Sequence, residues 1–396
     1  MGQVPLQVTP KKIGMERQGS CVQITAGSYF YIMKKTNFDS YCVNGFAQGC
    51  QYCVHGKKLV LFVTGKCSRA CEYCSLSDKR KNKDVVWANE RQCNSIKDII
   101  EETRASKACG AGITGGDPLI VFQRTIKFVK ALKKEFPRFH IHIYLPTNLV
   151  TEDKLKKLKE VGVDEIRFHP RLDEDFCKSV EKIRFASKFW PIKDIGIEIP
   201  AFPSKKQEIF DFIIQVSRFI GFVNLNELEI SDTNFNYITK RTKTKVFGAP
   251  KKYIFRAKYE LNEDTYTIKG SKEAGLWILR QCEKRSLNLR VHLCTARTKN
   301  LFQYKNRLKL RDVMPFGFKT KEGSVRYFCI YLKNLKTKEI SKIISKFKGN
   351  CYFDKKKKRI IIAEKILPLA LKRGYNVERV EELPTWDAIE LEREGI

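Results

Sequence analysis

The sequence predicts an α/β fold with a partial (β/α)6, TIM-like barrel at its centre. From residue 59 onward, apolar runs of strand length alternate with segments of helical periodicity, which is typical of parallel βαβ units. Within the strands, apolar and polar residues alternate, so one face packs against helices and the other lines a hydrophilic interior. Together these two patterns favour a barrel with a ligand-filled lumen over the solvated face of an open sheet.

Six strands and five helices alternate in the predicted barrel. The strands are Lys58–Thr64, Gly110–Thr114, His140–Pro146, Glu165–His169, Asp194–Pro200 and Phe222–Ile230. The helices lie near 92–107, 120–135, 151–161, 173–189 and 204–219. A further helix, Ser271–Ser286, precedes a seventh strand, Leu289–Cys294. Inward-facing residues such as His142, Arg167 and His292 are too hydrophilic for an inert packed interior.

The chain divides into four predicted segments. Residues 1–57 form an N-terminal extension that carries cysteines, and residues 58–231 form the core barrel. Residues 232–315 combine an insertion, the barrel-closing helix and strand, and a basic helix over Leu301–Met314, which either grips phosphate or is an ordinary amphipathic surface helix. Residues 316–396 follow the order strand, helix, hairpin, helix, strand, which is close to a ferredoxin-like α+β domain.

The composition excludes several classes of protein. Of the 396 residues, 42% are hydrophobic and 11% aromatic, which argues against a disordered chain. No apolar stretch reaches about 18 residues and the N-terminus lacks the apolar core of a signal peptide, so we expect a cytoplasmic protein without membrane contact. In such a reducing compartment, the 14 cysteines indicate metal or redox chemistry rather than disulfides.

The charge of the chain favours a polyanionic partner. The formal net charge is +32, and the stretch from Phe235 to Arg373 contains 37 basic and 10 acidic residues. Lys and Arg bind nucleic acids because they release condensed counterions from the phosphates. The alternative is that a lysine-rich composition reflects lineage or a hot habitat rather than a partner.

The strongest chemical signal is a short cysteine loop directly after the first barrel strand. Cys67, Cys71 and Cys74 stand at i, i+4 and i+7. Three thiolates at this spacing hold three irons of a cubane [4Fe–4S] cluster and leave the fourth iron without a protein ligand. Zinc is the alternative, but a structural zinc site needs four ligands from paired knuckles, which this loop does not supply.

This loop resembles the CxxxCxΦC motif of the radical S-adenosylmethionine (radical SAM) superfamily, with Tyr73 in the aromatic position. Gly115, Gly116 and Asp117 follow the second strand where the family carries GGEP, with Asp in place of Glu. The resemblance covers residues 58–231. It implies that the glycines let backbone carbonyls approach the methionine ammonium of SAM. It also implies cofactor contacts to ribose and methionine from Asn148, His169 and Glu198.

The same resemblance implies a reaction. An electron donor of ferredoxin or flavodoxin type reduces the cluster, which then cleaves SAM and yields a 5′-deoxyadenosyl radical that removes hydrogen from a substrate. Such a radical attacks almost any group within reach, so the substrate must be held in a cavity that excludes water. The residues that act directly on the substrate are not identified by the sequence.

A second cysteine group lies upstream of the first strand. Cys42, Cys50 and Cys53 occur within twelve residues among glycines and look like another metal loop. The inward-facing Cys294 on the seventh strand is the best candidate for a fourth ligand, with His292 as its alternative. The group is predicted to hold an auxiliary iron–sulfur cluster or a structural zinc ion, and the alternative is a set of reduced thiols.

The overall pattern is similar to archaeal radical SAM proteins related to pyruvate formate-lyase activating enzymes. The first functional hypothesis is a radical SAM enzyme that modifies RNA, and tRNA in particular, because the excess charge concentrates in the C-terminal third. The second is an activase or modifier of a protein or a small metabolite. The third, from a different class, is a metal-stabilised RNA-binding protein without turnover.

Overall fold

The structure is a computed structural model that describes residues 32–71, 73–171, 176–231, 233–234, 266–331 and 337–396. Residues 1–31 of the predicted N-terminal extension lie outside the described residues, and so do residues 235–265, which make up most of the predicted insertion Thr233–Gly270. No helix among the described residues is both long enough and apolar enough to cross a membrane.

Seven parallel strands form the centre of the larger sheet, and they follow one another in chain order. The strand order across this sheet is β1-β2-β13-β10-β9-β8-β7-β6-β3-β4-β5. Its strands are β1 (Lys34–Lys35), β2 (Tyr41–Val43), β3 (Lys58–Phe62), β4 (Val86–Ala88), β5 (Arg91–Cys93), β6 (Gly110–Thr114), β7 (His140–Pro146), β8 (Glu165–His169), β9 (Ile195–Pro200), β10 (Phe222–Asn226) and β13 (Arg290–Cys294). Neighbouring parallel strands in chain order are what βαβ repeats produce, so the predicted α/β class is confirmed.

Helices connect the parallel strands and cover the apolar face of the sheet. They are α2 (Ile96–Ala105), α3 (Phe122–Glu135), α4 (Glu152–Glu160), α5 (Phe176–Ala186), α6 (Lys206–Val216) and α7 (Ser271–Lys284). The short helix α1 (Gln48–Val54) precedes β3. Helix α2 begins with a capping box, because the Ser95 side chain accepts from the Asp98 backbone and the Asp98 carboxylate accepts from the Ser95 backbone.

The period-two pattern of the strands places apolar and polar side chains on opposite faces. On β7, Ile141, Ile143 and Leu145 are fully buried in the main hydrophobic core. The intervening His142 and Tyr144 face the other side, where their side chains hydrogen-bond to each other at 3.1 Å. The predicted separation of the two faces is therefore confirmed on this central strand.

Strands β4 and β5 form a hairpin where the sequence predicts the beginning of a helix. The turn between them contains Asn89 with a positive φ of 51°, which suits a tight two-residue hairpin. The helix predicted near 92–107 therefore begins only at Ile96, after β5 has ended. Asn89 also fixes the hairpin to β3, since its side-chain oxygen accepts a hydrogen bond from the Val60 backbone at 3.0 Å.

The strand predicted over Phe222–Ile230 is interrupted. Strand β10 ends at Asn226, and β11 (Glu229–Ile230) pairs antiparallel with β12 (Tyr266–Thr267) in a small separate sheet. The backbone leaves the main sheet at Glu227, whose carboxylate accepts from the Ala296 backbone at 2.9 Å.

The C-terminal segment forms its own antiparallel sheet, in the order β16-β17-β15-β18-β19 with β14 beside β15. Its elements are β14 (Phe318–Lys319), β15 (Val325–Tyr331), α9 (Thr337–Lys346), β16 (Cys351–Asp354), β17 (Arg359–Ile362), α10 (Leu367–Lys372), β18 (Glu378–Glu382) and β19 (Glu390–Gly395). The acidic strand β19, which the sequence analysis does not predict, is exposed along its whole length.

A basic segment joins the C-terminal sheet to the larger one. Where the sequence predicts one helix over Leu301–Met314, the structure has a π-helix over Thr298–Tyr304 followed by α8 (Lys305–Leu310). Its arginines are engaged within the chain: Arg307 pairs with Glu90 in the β4–β5 turn, and Arg311 pairs with Glu102 of α2. These arginines therefore link elements of the chain, and the phosphate-binding alternative loses two of its cations.

Candidate functional site

The cysteine loop follows β3 and is bound through its backbone to the end of β6. The Thr64 carbonyl accepts from the Gly116 backbone at 2.7 Å, and the Lys66 carbonyl accepts from the Asp117 backbone at 2.9 Å. The ends of two neighbouring parallel strands meet at one edge of a sheet, so this loop lies where catalytic sites of such sheets are built.

Two glycines permit this close approach of the two backbones. A Cβ atom at Gly116 would lie 2.2 Å from the Lys66 carbonyl oxygen, and one at Gly115 would lie 2.5 Å from the Thr64 carbonyl oxygen. Gly115 also has a φ of +152°, which side-chain-bearing residues rarely adopt. The glycine pair is thus required by the packing of the cysteine loop against β6.

Asp117 anchors the cysteine loop through a hydrogen bond from Ser68. Its carboxylate is fully buried and accepts hydrogen bonds from the Ser68 hydroxyl at 2.5 Å and from the Leu119 backbone at 2.9 Å. Burial raises the pKa of this carboxyl group, although both hydrogen bonds act in the opposite direction. Asn148 contacts the same serine, since its side-chain oxygen lies 3.0 Å from the Ser68 hydroxyl oxygen.

Arg69 ties the middle of the loop to β7 and β8. Its guanidinium donates to the Thr147 hydroxyl and to the His169 carbonyl, each at 2.7 Å. The Tyr73 hydroxyl lies 3.1 Å from His169 Nε2, and His169 Nδ1 lies 2.8 Å from the Glu198 carbonyl. Burial lowers the pKa of His169, so its ring is neutral and one nitrogen remains an acceptor.

The far end of the loop is held by two residues that follow β11. The Thr233 hydroxyl donates to the Leu76 carbonyl at 2.7 Å, and its oxygen lies 3.1 Å from the Cys74 carbonyl. The Asn234 side chain donates to the Tyr73 carbonyl at 2.9 Å. The loop is therefore fixed at its beginning, middle and end by different elements.

Glu198 lies on β9, the strand next to β8, on the polar face of the sheet. Its carboxylate accepts from Arg167 at 2.8 Å and from the Asn226 amide at 2.8 Å. Arg167 is buried between this carboxylate and that of Glu165, which is 2.5 Å from its guanidinium. The paired charges offset the cost of burying an arginine in the interior.

Comparisons with known proteins agree with this geometry. The model of the Radical SAM superfamily matches residues 61–185, which contain the cysteine loop and the glycine pair. Over 376 residues, the chain is 36% identical to a protein of Methanocaldococcus jannaschii whose name assigns it provisionally to the glycyl-radical enzyme activating enzymes, and the match covers 90% of this chain and 93% of that protein. The chain belongs to the radical SAM superfamily. The predicted relation to activating enzymes is confirmed by the same relative.

Two solved structures are similar to parts of this radical SAM chain. Spore photoproduct lyase, in complex with dinucleoside spore photoproduct, has a TM-score of 0.38 at 12% identity and covers 57% of this chain and 73% of its own. A radical S-adenosylmethionine methyltransferase of Kitasatospora setae has a TM-score of 0.32 at 11% identity and covers 44% of this chain and 37% of its own. These scores are too low for either structure to bear on the substrate or the fold of this chain.

Membership of the family makes this chain an enzyme that uses a [4Fe–4S] cluster and SAM and needs an electron donor. The predicted alternative of an RNA-binding protein without turnover is therefore wrong. The donor set of the loop fits the cluster, because it offers three thiols in eight residues, with Cys67 exposed and Cys71 and Cys74 half-buried. Among the described residues, no three potential ligand side chains lie close enough together to hold a metal ion.

The structure brings most of the predicted cofactor residues to one edge. Tyr73 belongs to the cysteine loop, and Asp117, Asn148 and His169 lie within one or two hydrogen bonds of it. Glu198 lies deeper on the polar face. Reasoning from the sequence missed the residues that fasten the loop. They are Ser68, Arg69, Thr147, Thr233 and Asn234. Their only signal is position. Ser68 and Arg69 lie between the cysteines, Thr147 follows directly on β7, and the last two follow β11 by three and four residues.

The second cysteine group is built on a helix and two strands rather than on a loop. Cys50 and Cys53 lie on α1, Cys42 lies on β2 opposite His292 of β13, and Cys294 ends β13. The Cys50 thiol contacts the Asn224 side-chain oxygen at 3.7 Å. The Cys294 sulfur accepts from the Gln303 amide at 3.3 Å. Burial raises the pKa of both thiols, that of Cys294 to about 12.

Helix α1 packs on the polar face of the sheet because glycine occupies its buried side. The Gly49 backbone donates to the Glu165 carboxylate at 2.9 Å. A Cβ atom at this position would lie 2.4 Å from His142 Nδ1 and 2.6 Å from the Arg167 guanidinium. The cysteines of α1 are thereby held over the interior of the sheet, beside its buried charges.

Proposed function

We propose that this radical SAM enzyme is an activase that removes a hydrogen atom from a protein partner, in the manner that the name of its relative describes. The observation that carries the proposal is the 36% identity over 93% of the M. jannaschii protein. A match over 90% of this chain extends beyond the segment with the cysteine loop and into the C-terminal sheet. A shared additional unit supports a shared kind of substrate as well as shared cofactor chemistry.

The residues of the loop are proposed to hold the cofactors. Cys67, Cys71 and Cys74 would bind the [4Fe–4S] cluster, which when bound supplies an electron for the cleavage of SAM and so initiates the radical reaction. Gly115 and Gly116 bring the β6 backbone to the edge of the loop. Their close packing leaves backbone groups, rather than side chains, to face the amino acid part of SAM.

The remaining polar residues are proposed to orient the nucleoside. Tyr73, Asn148 and His169 lie beside the loop at the ends of β7 and β8, and Glu198 lies on β9. His169 is positioned as a neutral ring by the Glu198 carbonyl and the Tyr73 hydroxyl. Asp117 is proposed to act through the loop, because both of its carboxylate oxygens already accept hydrogen bonds from the chain.

The test is cleavage of SAM by protein purified without oxygen. The enzyme with dithionite and SAM is expected to release 5′-deoxyadenosine, and Cys71→Ala is expected to lower the rate at least about a hundredfold, because the cluster loses a ligand. Cys177→Ala, which removes an exposed thiol of α5, is the control and should leave the rate unchanged. Equal rates in the two variants would contradict the assignment of the loop.

Two finer predictions from the sequence remain proposals, namely an RNA substrate and a second metal ion. An RNA substrate rests on the charge of the chain alone, whereas the relative's name favours a protein substrate. A second metal ion on Cys42, Cys50, Cys53 and Cys294 is supported by the placement of three of these thiols on α1 and β13. Iron, sulfide and zinc counts on the enzyme with and without these thiols would test it.

Two features of the architecture also remain proposals, namely the partial barrel and the ferredoxin-like C-terminal domain. We propose that the parallel strands β3 to β10 curve into a partial barrel closed by β13, which is supported by their chain-order adjacency. We also propose a ferredoxin-like C-terminal domain. Its support is the order β16-β17-β15-β18, in which all pairs are antiparallel.

A further inference from the structure

A groove runs between the β4–β5 hairpin and the C-terminal sheet, close to the cysteine loop. It encloses a cavity of about 640 Å³. Trp87 of β4 lines it from the larger sheet, and Trp386, before β19, lines it from the C-terminal unit. The Trp386 indole is 42% exposed. An exposed tryptophan beside a cavity is the residue type that most often anchors a protein partner.

The edge of β5 offers free backbone groups to this groove. Strand β5 is the last strand of its sheet, and Gln92, its middle residue, lines the cavity. In a two-residue hairpin, Ala88 and Arg91 next to the turn exchange hydrogen bonds, so the following pair of Trp87 and Gln92 does not. The N–H and C=O of Gln92 therefore point away from β4, toward the open edge of the sheet.

The charges that line the groove do not suit a polyanion. The groove is lined by two cations, Lys79 and Arg80, and by two carboxylates, Glu90 and Asp387, of which Glu90 is paired with Arg307. Two further cations lie over the Trp386 ring, with Lys356 Nζ 4.0 Å and the Arg91 guanidinium 5.5 Å from its centroid. Three of these four cations are engaged within the chain: Arg80 stacks on the Trp87 ring 4.7 Å from its centroid, Arg91 pairs with Glu101, and Lys356 donates to the Trp386 carbonyl at 2.6 Å. Nucleic acids bind where uncommitted Lys and Arg are in clear excess, and most of the cations here already have a partner in the chain.

The groove begins next to the proposed site of the radical reaction. Ser77, which lines the cavity, follows Cys74 by three residues. Three residues span at most about 11 Å. The Ser77 carbonyl accepts from the backbones of Arg80 and Lys81 at 2.8 and 2.9 Å, so a turn carries the chain directly from the cysteine loop to the wall of the groove.

We propose that this groove binds an extended segment of the partner polypeptide, which adds as a strand to the edge of β5 and places a large apolar or aromatic side chain against Trp386. The identification of the partner as a polypeptide rests on the proposed activase function. Strand addition supplies backbone hydrogen bonds for affinity, and a pocket for an alternate side chain supplies specificity. The groove has both features, and the engagement of most of its cations within the chain suits a neutral backbone.

The experiment measures binding of fluorescein-labelled hexapeptides, Thr-Val-Xaa-Val-Thr-Gly with both ends blocked, to the cluster-loaded enzyme without SAM. Fluorescence polarisation compares Phe, Leu and Ala at the third position. We expect the Phe and Leu peptides to bind at least about tenfold more tightly than the Ala peptide, because only they fill the space beside Trp386. Methylation of the backbone nitrogens should abolish binding, because it removes the donors that a strand needs.

Trp386→Ala should weaken the binding of the Phe peptide at least about tenfold. Tyr352→Ala is the matched control, since Tyr352 is an aromatic residue of the same sheet with similar exposure, 40%, outside the groove. Its peptide affinity should equal that of the unchanged enzyme. The proposal would be overturned if the peptide affinity did not change with the residue at position three, with methylation of the backbone, or with Trp386→Ala.

A labelled single-stranded RNA of mixed sequence is tested in parallel. If Trp386→Ala loses RNA binding and the enzyme does not bind the peptides, the proposal would also be overturned, and the groove would be assigned to nucleic acid. Because binding is measured without SAM, it does not depend on the radical reaction. An enzyme that binds the peptides and never forms a radical on a protein would refute the activase function alone, whereas an activase that binds none of them would refute the groove.

Discussion

Asp117 shows how one buried carboxylate can position the proposed cluster-binding loop, because it accepts a hydrogen bond from Ser68 of that loop. We expect Asp117→Asn to speed the loss of iron to a chelator about tenfold, since hydrogen bonds to a charged acceptor contribute about 2 kcal/mol. Ser68→Ala removes the same contact from the other side. Iron release from the anaerobic enzyme is the measurement.

The double variant of Ser68 and Asp117 is the control for this prediction. If the contact between the two side chains carries the effect, the double variant releases iron no faster than Asp117→Asn alone. Additive effects would show that each residue acts separately on the loop, and the anchoring role of Asp117 would then be refuted.

Asp84 provides a pH-dependent prediction at the residue scale. Its carboxylate accepts from Arg124 at 2.5 and 3.1 Å and from the Thr64 hydroxyl at 2.9 Å, and the Arg124 contact is the main cause that lowers its pKa to about 2. A carboxyl group whose pKa is lowered by folding stabilises the protein above its unfolded pKa of 3.8. This contribution is lost as the pH falls from about 4 towards about 2.

We expect Asp84→Asn to lower the free energy of unfolding by about 1 kcal/mol at neutral pH, because the group is one-third exposed and its charges are partly screened. Urea unfolding between about pH 6 and about pH 3 should show the difference from the unchanged protein shrinking in acid. Asp312→Asn is the control, since Asp312 pairs with Lys107 on an exposed surface. A difference that stays constant with pH would refute the role of Asp84.

At the scale of elements, α1 depends on a single glycine. Gly49→Ala would place a methyl group against His142 and the Arg167–Glu165 pair. We expect the free energy of unfolding to fall by about 2 kcal/mol, which is typical of overpacking in a filled interior. Gly395→Ala, where a Cβ atom meets nothing within 4 Å, should change it by no more than about 0.5 kcal/mol. Urea unfolding of the two variants compares them, and equal stabilities would show that α1 does not pack on this face.

The elements also show what the sequence could and could not predict. Strands β6, β7 and β8 have the predicted bounds. In β7 and β8 apolar residues alternate with polar ones between two segments of helical periodicity, and this alternation predicts a strand. The β4–β5 hairpin was missed, since two strands of three residues are too short for a period to appear. Helix α1 was predicted as a loop for a related reason: its seven residues include one glycine and two cysteines, and the contacts that stabilise it come from β8.

The candidate site divides in the same way. The cysteine spacing and the glycine pair are local in the sequence, so the loop and its place after the first strand could be predicted. The fastening of the loop by Arg69 and Asn234 could not, because each of these contacts joins residues at least 78 positions apart. Such contacts depend on the order of strands in the sheet, which a single sequence does not fix.

At the scale of the whole molecule, the C-terminal unit is joined to the larger sheet by a buried ion pair. Glu102 of α2 is 1% exposed, and its carboxylate accepts from Arg311 at 2.8 Å and from the Asn89 amide at 2.9 Å. We expect Arg311→Met to lower the free energy of unfolding by about 3 kcal/mol, because it leaves a carboxylate buried without its cation.

Lys107→Met tests this prediction against an exposed pair close by. Lys107 and Asp312 are also an ion pair, but both side chains are more than half exposed, so its loss should cost less than about 0.5 kcal/mol. The midpoint of urea unfolding is the measurement for both variants. Similar midpoints would mean that the buried pair does not stabilise the junction.

The acidic strand β19 has a consequence for how copies of this basic enzyme meet in solution. Its open edge is the kind of template on which proteins stack into fibres, yet Glu390, Glu392 and Glu394 stand along it at every second position. Glu390 and Glu394 pair with Arg393 and Arg379 of the same sheet, so two such edges brought together would have to bury or break these ion pairs. This charged margin of the molecule therefore opposes the association of copies through β19.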